Sequence, residues 1–258
     1  MSSTDRPVAV EATALRKTYG SEVALDGVSF SIPSGVVYGF LGPNGAGKTT
    51  TMRLLTGLSN PTSGDVRIHG DPVDDRRAVA GRVGYLPETP PLYDEFSARE
   101  QLEYVADLRD IPTDRARERI DDYLERFDLA ADADKRIDAY SKGMRRKTAF
   151  VQSVLHDPDV LFLDEPTSGL DPRAARRIRE SITALADDGT TVFLSTHVLP
   201  VAEAVADEIG VLFDGRLVAD GTPADVTARA ETAAGGSLED AFLAVTSAHD
   251  HNRAVPDE

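Results

Sequence analysis

The stretch VVYGFLGPNGAGKTT, residues 36–50, decides the fold, because it joins an apolar run to a glycine-rich turn and then to helix-forming residues. Residues 36–42 are almost continuously apolar, which is typical of a parallel strand buried on both faces. Residues 42–49 match the pattern G-x-x-x-x-G-K-[ST] in full, and they lie between a predicted strand and a predicted helix, as that pattern requires. An incidental glycine-rich turn would explain the glycines alone, but the context favours a phosphate-binding loop.

This loop predicts a site for the phosphates of a nucleotide. Its glycines let backbone N–H groups turn towards an anion, and the helix that follows adds the positive end of its dipole. We expect Lys48 to reach the β- and γ-phosphates and the hydroxyl of Thr49 to coordinate Mg²⁺, so ATP with Mg²⁺ is the predicted ligand. The predicted nucleotide-binding residues of the loop are Gly42, Pro43, Asn44, Gly45, Ala46, Gly47, Lys48, Thr49 and Thr50.

A second apolar run, DVLFLDEP at residues 159–166, ends in two acids. Ligands of open α/β sheets bind at the carboxyl ends of the strands, which is where these acids would lie. We expect Asp164 to hold Mg²⁺, through water, and Glu165 to polarise the attacking water as general base. Two acids at a strand end are a weak signal alone, but together with the phosphate-binding loop they predict ATP hydrolysis.

The rest of the sequence predicts an α/β fold with two additions. The first 35 residues alternate apolar and polar positions and break at Gly and Pro, which indicates an antiparallel β region. Residues 88–157 have mainly helical periodicity and are expected to form a helical insertion. Strands alternate with helices on both sides of it, which favours a mainly parallel core sheet. Residues 224–233 and 237–246 predict two weak helices, and the polar end of the chain is expected to be disordered.

Composition restricts the partners. The net charge of −16 and the pI near 4.7 describe a surface that repels DNA and anionic lipid, so we expect no nucleic-acid partner and no direct lipid binding. No apolar run approaches the roughly 18 residues of a membrane span. The first ten residues lack the apolar stretch of a secretion signal, which favours the cytoplasm. Cysteine is absent, which excludes disulfides and thiolate metal sites.

Lysine is scarce, with 5 Lys against 23 Arg, and Asp outnumbers Glu about two to one. An Asp-rich, Lys-poor surface is typical of proteins from high-salt cytoplasms, where a large net charge is well screened. The sequence therefore predicts a halophilic protein. A GC-rich genome that favours Ala, Arg and Asp is the alternative explanation.

Further short motifs follow one another in a fixed order. They are Tyr19 in LRKTYG, YLPE at 85–88, YSKGM at 140–144, SGLD at 168–171 and His197 in LSTHV. With the phosphate-binding loop, their order and spacing over residues 8–220 resemble the nucleotide-binding subunit of ATP-binding cassette (ABC) transporters. In that family the motifs are an adenine-stacking aromatic residue, the Q-loop, the signature motif, the D-loop and the switch histidine. The implied fold is a P-loop NTPase (RecA-like) α/β core with an N-terminal antiparallel β-subdomain and an inserted helical subdomain.

The resemblance implies a role for each motif. Tyr19 would stack on adenine, although a lone Tyr in a strand is more often a core residue. Glu88 would be a third metal ligand, and His197 would join Glu165 and Lys48 in catalysis, although a histidine at a strand end is usually structural. Asp171 has a competing role as a helix N-cap, in front of Pro172. The signature motif acting across a dimer would be Ser141, Lys142, Gly143 and Met144, and the D-loop would be Ser168, Gly169, Leu170 and Asp171.

The sequence departs from the usual family pattern in two motifs. Glu88 replaces the usual Q-loop glutamine, which keeps an oxygen ligand but adds a negative charge near the triphosphate. Lys142 and Met144 replace a glycine and a glutamine of the signature motif. With the C-terminal SLEDAFLAVT, these departures resemble the subgroup whose permeases export drugs, lipids, polysaccharides or sodium.

The resemblance also implies an assembly. Two such subunits, as a homodimer or as a pseudo-equivalent heterodimer, would bind ATP head to tail and power transport through a separate integral-membrane permease. The chain would then be peripheral, on the cytoplasmic face of the cell membrane. A soluble ABC ATPase that acts on nucleic acid or ribosomes is the main alternative, and a small-metabolite kinase is a weaker one. The implied domains are 1–225 for the ATPase, made of 1–87 and 158–225 with 88–157 as helical subdomain, and 226–258 for a C-terminal extension.

The stretch YSKGMRRK at 140–147 carries four positive charges in eight positions. It is too short and too poor in aromatic residues for a nucleic-acid patch. Ser141 is instead predicted to cap a helix that begins there, with the Arg and Lys residues on its solvated side. The capped end could bind an anion that belongs to the other subunit.

Overall fold

The computed structural model describes residues 6–230 and 237–253. In chain order its strands are β1 Val8–Tyr19, β2 Glu22–Pro33, β3 Val37–Leu41, β4 Ser63–Ile68, β5 Asp71–Pro72, β6 Val83–Leu86, β7 Val160–Asp164, β8 Thr191–Thr196, β9 Glu208–Phe213 and β10 Arg216–Gly221. Its helices are α1 Lys48–Leu55, α2 Arg76–Val79, α3 Ala98–Leu108, α4 Thr113–Arg126, α5 Lys142–Val154, α6 Pro172–Asp187, α7 Leu199–Val205, α8 Pro223–Ala230 and α9 Leu238–Arg253.

Two sheets divide the strands as the sequence predicts. The larger sheet has the order β10-β9-β3-β8-β7-β6, and its pairs are parallel except for the β9–β10 hairpin. The smaller sheet is antiparallel, with the order β2-β1-β4-β5. It extends beyond the predicted first 35 residues, because β4 returns after α1 and pairs with β1. Mixed α/β architecture with both sheets confirms the predicted fold class.

The two sheets enclose an aromatic core. Phe30 of the antiparallel sheet packs against Tyr38, Phe40 and Phe193 of the parallel sheet, with ring centroids 5.7 to 5.9 Å apart. Strands β3, β7 and β8 are buried along their whole length, as expected for parallel strands covered on both faces. Their carboxyl ends therefore lie side by side, at one edge of a rigid sheet.

Helices α3, α4 and α5 form a layer within the range predicted for the helical insertion, and their apolar side chains share one core with a face of the parallel sheet. Helix α3 begins with a capping box, in which Ser97 accepts from the Glu100 N–H and Glu100 accepts from the Ser97 N–H. Such a box satisfies two backbone donors that the helix itself leaves free. Phe127 and Phe150 are completely buried between α4 and α5, so α5 is fixed against the rest of the layer.

The C-terminal part packs on the hairpin side of the parallel sheet. Val226 of α8 and Ala241 of α9 are buried together with Ile209 and Val211 of β9. Helix α9 continues to Arg253, and residues 254–258 of the predicted disordered end lie outside the described part. In that described part no helix combines the length and the apolar character that crossing a membrane requires.

Candidate nucleotide site

A cleft of about 760 Å³ opens at the carboxyl edge of the parallel sheet, where β3, β7 and β8 end. The structure brings together in this cleft nearly all the site residues that the motifs at the strand ends predict. The cleft is lined by Tyr19, Ser21, Glu22, Val23, Ala24, Asn44, Gly45, Gly47, Lys48, Thr49, Thr50, Glu88, Asp164, Glu165, His197, Asp214 and Gly215. Gly42, Pro43 and Ala46 belong to the same loop but do not line the cleft.

The phosphate-binding loop needs glycine where the chain turns into α1. Gly47 has φ of 109°, and a Cβ built on it would lie 2.7 Å from the Ala24 carbonyl oxygen. Any side chain would therefore be both strained and in collision at this position. The amide N–H groups in the first turn of any helix have no acceptor inside the helix. Within the described structure no side chain caps α1 in their place. These donors can receive an anion.

Lys48 is folded back onto its own loop. Its Nζ donates to the carbonyl oxygens of Gly42 at 2.6 Å and Pro43 at 3.0 Å. Burial lowers the pKa of Lys48, while the negative charges of Glu165, Asp164 and Glu88 oppose this shift. The ammonium group thus lies in an acidic, partly desolvated site. It can exchange its carbonyl contacts for phosphate oxygens.

Thr49 and Asp164 form the part of the cleft that suits a divalent cation. The Thr49 hydroxyl donates to Asp164 Oδ2 at 3.3 Å, and Asp164 is only 2% exposed. Burial raises the pKa of Asp164, whereas hydrogen bonds from hydroxyl groups lower it. Among the described residues no cluster of three or more His, Cys, Asp or Glu could cage a metal. The donors fit Mg²⁺, which prefers oxygen and usually takes one or two carboxylates with substrate phosphates.

Glu165 is held on two sides by groups at the end of β8. Its Oε1 accepts from the His197 amide at 2.9 Å and from His197 Nδ1 at 2.6 Å, and its Oε2 accepts from the Thr196 hydroxyl at 3.1 Å. Because an ionised carboxylate only accepts, Nδ1 carries the proton in this contact. Glu165 also has φ of 49°, as one of seven described non-glycine residues in the left-handed region, where a side chain costs energy.

Tyr19 lies at the rim of the cleft, at the end of β1. Its side chain is 47% exposed, so the competing interpretation of Tyr19 as a core residue is wrong. Lys17 Nζ lies over the Tyr19 ring, 5.1 Å from its centroid, which is a cation–π distance. Glu88 follows β6 and is exposed on the cleft wall.

The signature and D-loop residues do not line this cleft. Ser141 caps α5 by accepting from the Met144 N–H at 3.2 Å, as predicted. Lys142 is exposed, and its side chain passes over Gly169, where a Cβ would come within 2.7 Å of Lys142 Cε. The two motifs therefore touch each other within one chain. They form a surface separate from the cleft.

Asp171 has the capping role that competes with a D-loop role. Its Oδ1 accepts from the amides of Arg173 and Ala174, each at 2.9 Å, at the start of α6. The bond from the Ala174 N–H is the main reason that the pKa of Asp171 is lowered. The N-cap is therefore an observed role of this residue.

Arg146 corrects one sequence expectation. It was expected on the solvated side of the helix, but its residue is only 5% exposed and its guanidinium contacts carbonyls around the cleft. Helical spacing gave the available signal, since Arg146 shares a face with Ala149, Phe150 and Ser153, all of which are buried. This helical spacing was overlooked because Arg146 is charged and lies in a run of polar residues.

A phosphate-binding loop, an Asp-Glu pair and a histidine around one cleft, on a RecA-like sheet, define the P-loop ATPase class. The family model for ABC transporters matches residues 25–168. The chain belongs to the ABC transporter family and is an ATP-binding subunit with ATPase activity.

Relatives and solved structures agree with this placement. The daunorubicin resistance ATP-binding protein DrrA3 of Streptomyces coeruleorubidus is 42% identical over 91% of this chain and 73% of its own length. The Nod factor export ATP-binding protein I of Paraburkholderia xenovorans (strain LB400) is 38% identical over 85% of this chain and 73% of its own length. A solved ATP-binding subunit of an ABC transporter superposes with a TM-score of 0.86 at 31% identity, over 92% of this chain and 99% of that one.

Proposed function

We propose that this subunit binds and hydrolyses MgATP between two head-to-tail copies, and that hydrolysis drives export through a separate membrane permease. One observation carries the dimer. The cleft holds a phosphate-binding loop, acids and a histidine, while the capped end of α5 with Ser141 lies on another surface of the same chain. A single chain therefore leaves the outer side of the triphosphate open to water, and the signature surface of a second copy would close it.

In the proposed reaction, Glu165 orients and polarises the attacking water. Its carboxylate is held by the Thr196 hydroxyl and by His197, so it needs little reorganisation when the proton leaves water. His197 has its second ring nitrogen free for the γ-phosphate region, since Nδ1 is used by Glu165. Tyr19 stacks on the adenine ring.

Lys48 and the amides of the loop balance the charge of the phosphates. Thr49 and Asp164 would hold Mg²⁺, with Glu88 as a third ligand. When bound, the ion neutralises charge that develops on the phosphate oxygens. The usual Q-loop residue is an uncharged glutamine, so Glu88 makes nucleotide affinity more dependent on the cation in this chain.

Across the dimer, Ser141, Gly143 and the first-turn amides of α5 complete the coordination of the partner's ATP. ATP then holds two acidic subunits together, because it binds the closed dimer more tightly than the open state. Hydrolysis removes this preference and releases the subunits. The D-loop residues Ser168 to Asp171 lie beside the signature motif and would enter the same interface.

A groove beside the cleft is the proposed seat of the permease. It has a volume of about 480 Å³ and lies between the end of α1, α2, β6 and the end of α3. Its apolar residues include Leu58, Val73, Val79, Val83 and Leu108. Leu58 and Leu108 are 58% and 64% exposed, and two exposed leucines in one apolar groove support the proposal that a partner covers it. Arg76 and Arg109 at its edges donate to the main-chain carbonyls of Gly57 and Ala80, which fixes the walls of the groove.

Export rather than import is supported by the relatives. The curated names of two of them refer to daunorubicin resistance and to Nod factor export. Attachment to a larger complex has separate support from a solved neighbour of 27% identity, cbiO1 from Clostridium perfringens, which is described as part of the ABC transporter complex cbiONQ. Attachment through a permease would place the chain at the cytoplasmic face of the membrane. The substrate contacts would lie in the permease.

The dimer is tested by sedimentation velocity of the Glu165→Gln variant with MgATP, with MgADP and without nucleotide. We expect a dimer only with MgATP, because the variant retains ATP binding but cannot turn it over. A second variant that also carries Lys48→Ala controls for nucleotide binding and should need about 10- to 100-fold more MgATP to dimerise. A Glu165→Gln variant that is monomeric with saturating MgATP would contradict the head-to-tail proposal.

The permease groove is tested by affinity purification of the chain from detergent-solubilised membranes of the source cells, with identification of the membrane protein that co-purifies. Leu108→Glu should lose the permease from membrane extracts, because it puts a charge into an apolar contact. Leu243→Glu is the matched control, since Leu243 is a similarly exposed leucine on α9. Recovery of ribosomal RNA in place of a membrane protein would favour the soluble, non-transport class.

We also propose that the acidic surface is adapted to high salt. Screening by multimolar KCl reduces the self-repulsion of a chain with a net charge of −16. ATPase activity and unfolding temperature should both rise between low and multimolar KCl. Full activity and stability without added salt would favour the genomic GC explanation.

A further inference from the structure

Arg146 makes hydrogen bonds around the cleft that no motif of the sequence predicts. It lies in α5, five positions after the cap Ser141, and its guanidinium donates to five main-chain carbonyls. Nη1 donates to the oxygens of Pro87 and Glu88, each at 2.8 Å. Nη2 donates to Glu165 O at 2.6 Å and to Asp164 O, and Nε donates to Pro166 O at 3.3 Å. One side chain thus joins the two segments that follow the neighbouring strands β6 and β7.

The arrangement is specific to arginine. A guanidinium offers five N–H donors in a planar fork, whereas an ammonium is a compact point charge with three. Burial lowers the pKa of Arg146, and the negative charges of Asp164, Glu88 and Glu165 oppose the shift. The cation is therefore kept in a poorly hydrated site by carbonyl dipoles and by the acids of the cleft. Such a group is retained only where its contacts are well satisfied.

The contacts of Arg146 act on the strained residue of the site. Glu165 has a left-handed backbone, and its carboxylate is held by Thr196 and His197 on β8. Its carbonyl points the other way, to Arg146. The residue is therefore fixed from both sides, and a strained conformation persists only when its surroundings over-determine it.

We propose that Arg146 is a positioning residue that ties the Q-loop backbone at Pro87 and Glu88 to the backbone of Asp164, Glu165 and Pro166. This proposal rests on the assignment of Glu165 as general base. Because Arg146 lies in the helix that Ser141 caps, α5 becomes a rigid connection from the signature surface to the cleft of the same chain. A shift of α5 caused by the partner's ATP, or of the Q-loop caused by the permease, would then move the Glu165 carboxylate.

The test compares Arg146→Lys with Arg119→Lys in the full chain. Arg119 is a suitable control because its guanidinium also donates to a main-chain carbonyl, that of Leu155 at 2.8 Å, but within the helical layer. The measured quantities are kcat for MgATP, the Kd of a fluorescent ADP analogue and the unfolding temperature. We expect Arg146→Lys to lower kcat about 10- to 100-fold, since small misplacement of a catalytic group has effects of this size. The Kd should stay within about threefold, because the phosphate-binding loop is intact, and Arg119→Lys should resemble wild type.

Hydrogen exchange supplies a second measurement that a general loss of stability would not mimic. Peptides that contain residues 86–90 and 164–168 should exchange faster in Arg146→Lys, while peptides of the phosphate-binding loop should not change. A folded Arg146→Lys variant with kcat within twofold of Arg119→Lys would overturn the proposal. Uniformly faster exchange, with kcat and affinity falling together, would also overturn it. Glu165→Gln separates the two assignments. If Glu165→Gln is inactive while Arg146→Lys is fully active, only the positioning role of Arg146 fails. If Glu165→Gln is active, the assignment of Glu165 as general base fails.

Discussion

The cleft and the signature surface of this chain are built in opposite ways. The cleft collects the ends of three buried strands, so its groups are held by the rigid core: Asp164 is 2% exposed and Glu165 is 8% exposed. The signature surface consists of one helix end and an adjacent loop, where Ser141 and Lys142 are exposed. The cleft has the groups assigned to the reaction. The signature surface has hydrogen-bond donors but no nucleotide site of the same chain beside them. This difference supports the proposal that chemistry is fixed within one chain, while closure of the site depends on a second copy.

The largest expected effect lies on the cleft side, at Glu165. Glu165→Gln keeps the shape and the contacts to Thr196 but removes the basic oxygen, so kcat should fall by about 100- to 10,000-fold, the usual contribution of a general base. Single-turnover hydrolysis measures it. Hydrolysis at the wild-type rate would show that another group activates the water.

Lys48 comes next and separates binding from chemistry within the cleft. Lys48→Ala removes a charged donor to the phosphates, and charge-assisted hydrogen bonds contribute about 1.5–3 kcal/mol each. The affinity for ATP should therefore fall about 10- to 100-fold, as measured by equilibrium binding. The fall for AMP should be much smaller, because Lys48 is assigned to the β- and γ-phosphates. Equal losses for ATP and AMP would contradict that assignment.

Ser141 tests the other surface. Ser141→Ala removes the cap of α5, which costs about 1 kcal/mol of folding stability, and in the proposed dimer it also removes a donor to the partner's ATP. Ser97→Ala is the matched control, because Ser97 caps α3 in the same way, accepting from Glu100 N at 3.1 Å. Both variants should lose similar stability in urea, but only Ser141→Ala should lose ATPase turnover and ATP-dependent dimerisation. Equal turnover in the two variants would reduce Ser141 to a structural cap.

The smallest expected effect is that of Lys142. Its side chain is exposed above Gly169, and exposed charge pairs contribute about 0.2–1 kcal/mol. Lys142→Gly should weaken ATP-dependent dimerisation by at most about fivefold at low salt, and the loss should shrink in concentrated KCl. A tenfold or larger loss that persists in high salt would mean that Lys142 contacts phosphate in a closed interface.

Local sequence was sufficient wherever one continuous segment forms the feature. The phosphate-binding loop, the strand with Asp164 and Glu165, and the caps Ser141 and Asp171 all depend on neighbouring residues, and the structure has each of them where it was expected. The pairing of β4 with β1 was not predicted, because a short strand does not specify which edge it joins. The buried position of Arg146 was not predicted either, since its acceptors are carbonyls 18 to 59 residues away.

The sequence by itself determined the class of chemistry, because the required residue types and backbone conformations follow from short patterns with a strand before them and a helix after them. The tertiary structure decided which groups share one cleft, which surface the signature helix occupies, and how Arg146 joins the two. The physical reason is that a main-chain carbonyl is present at every residue, so sequence cannot tell which carbonyls a buried guanidinium will meet. Only packing of α5 against the ends of β6 and β7 selects them.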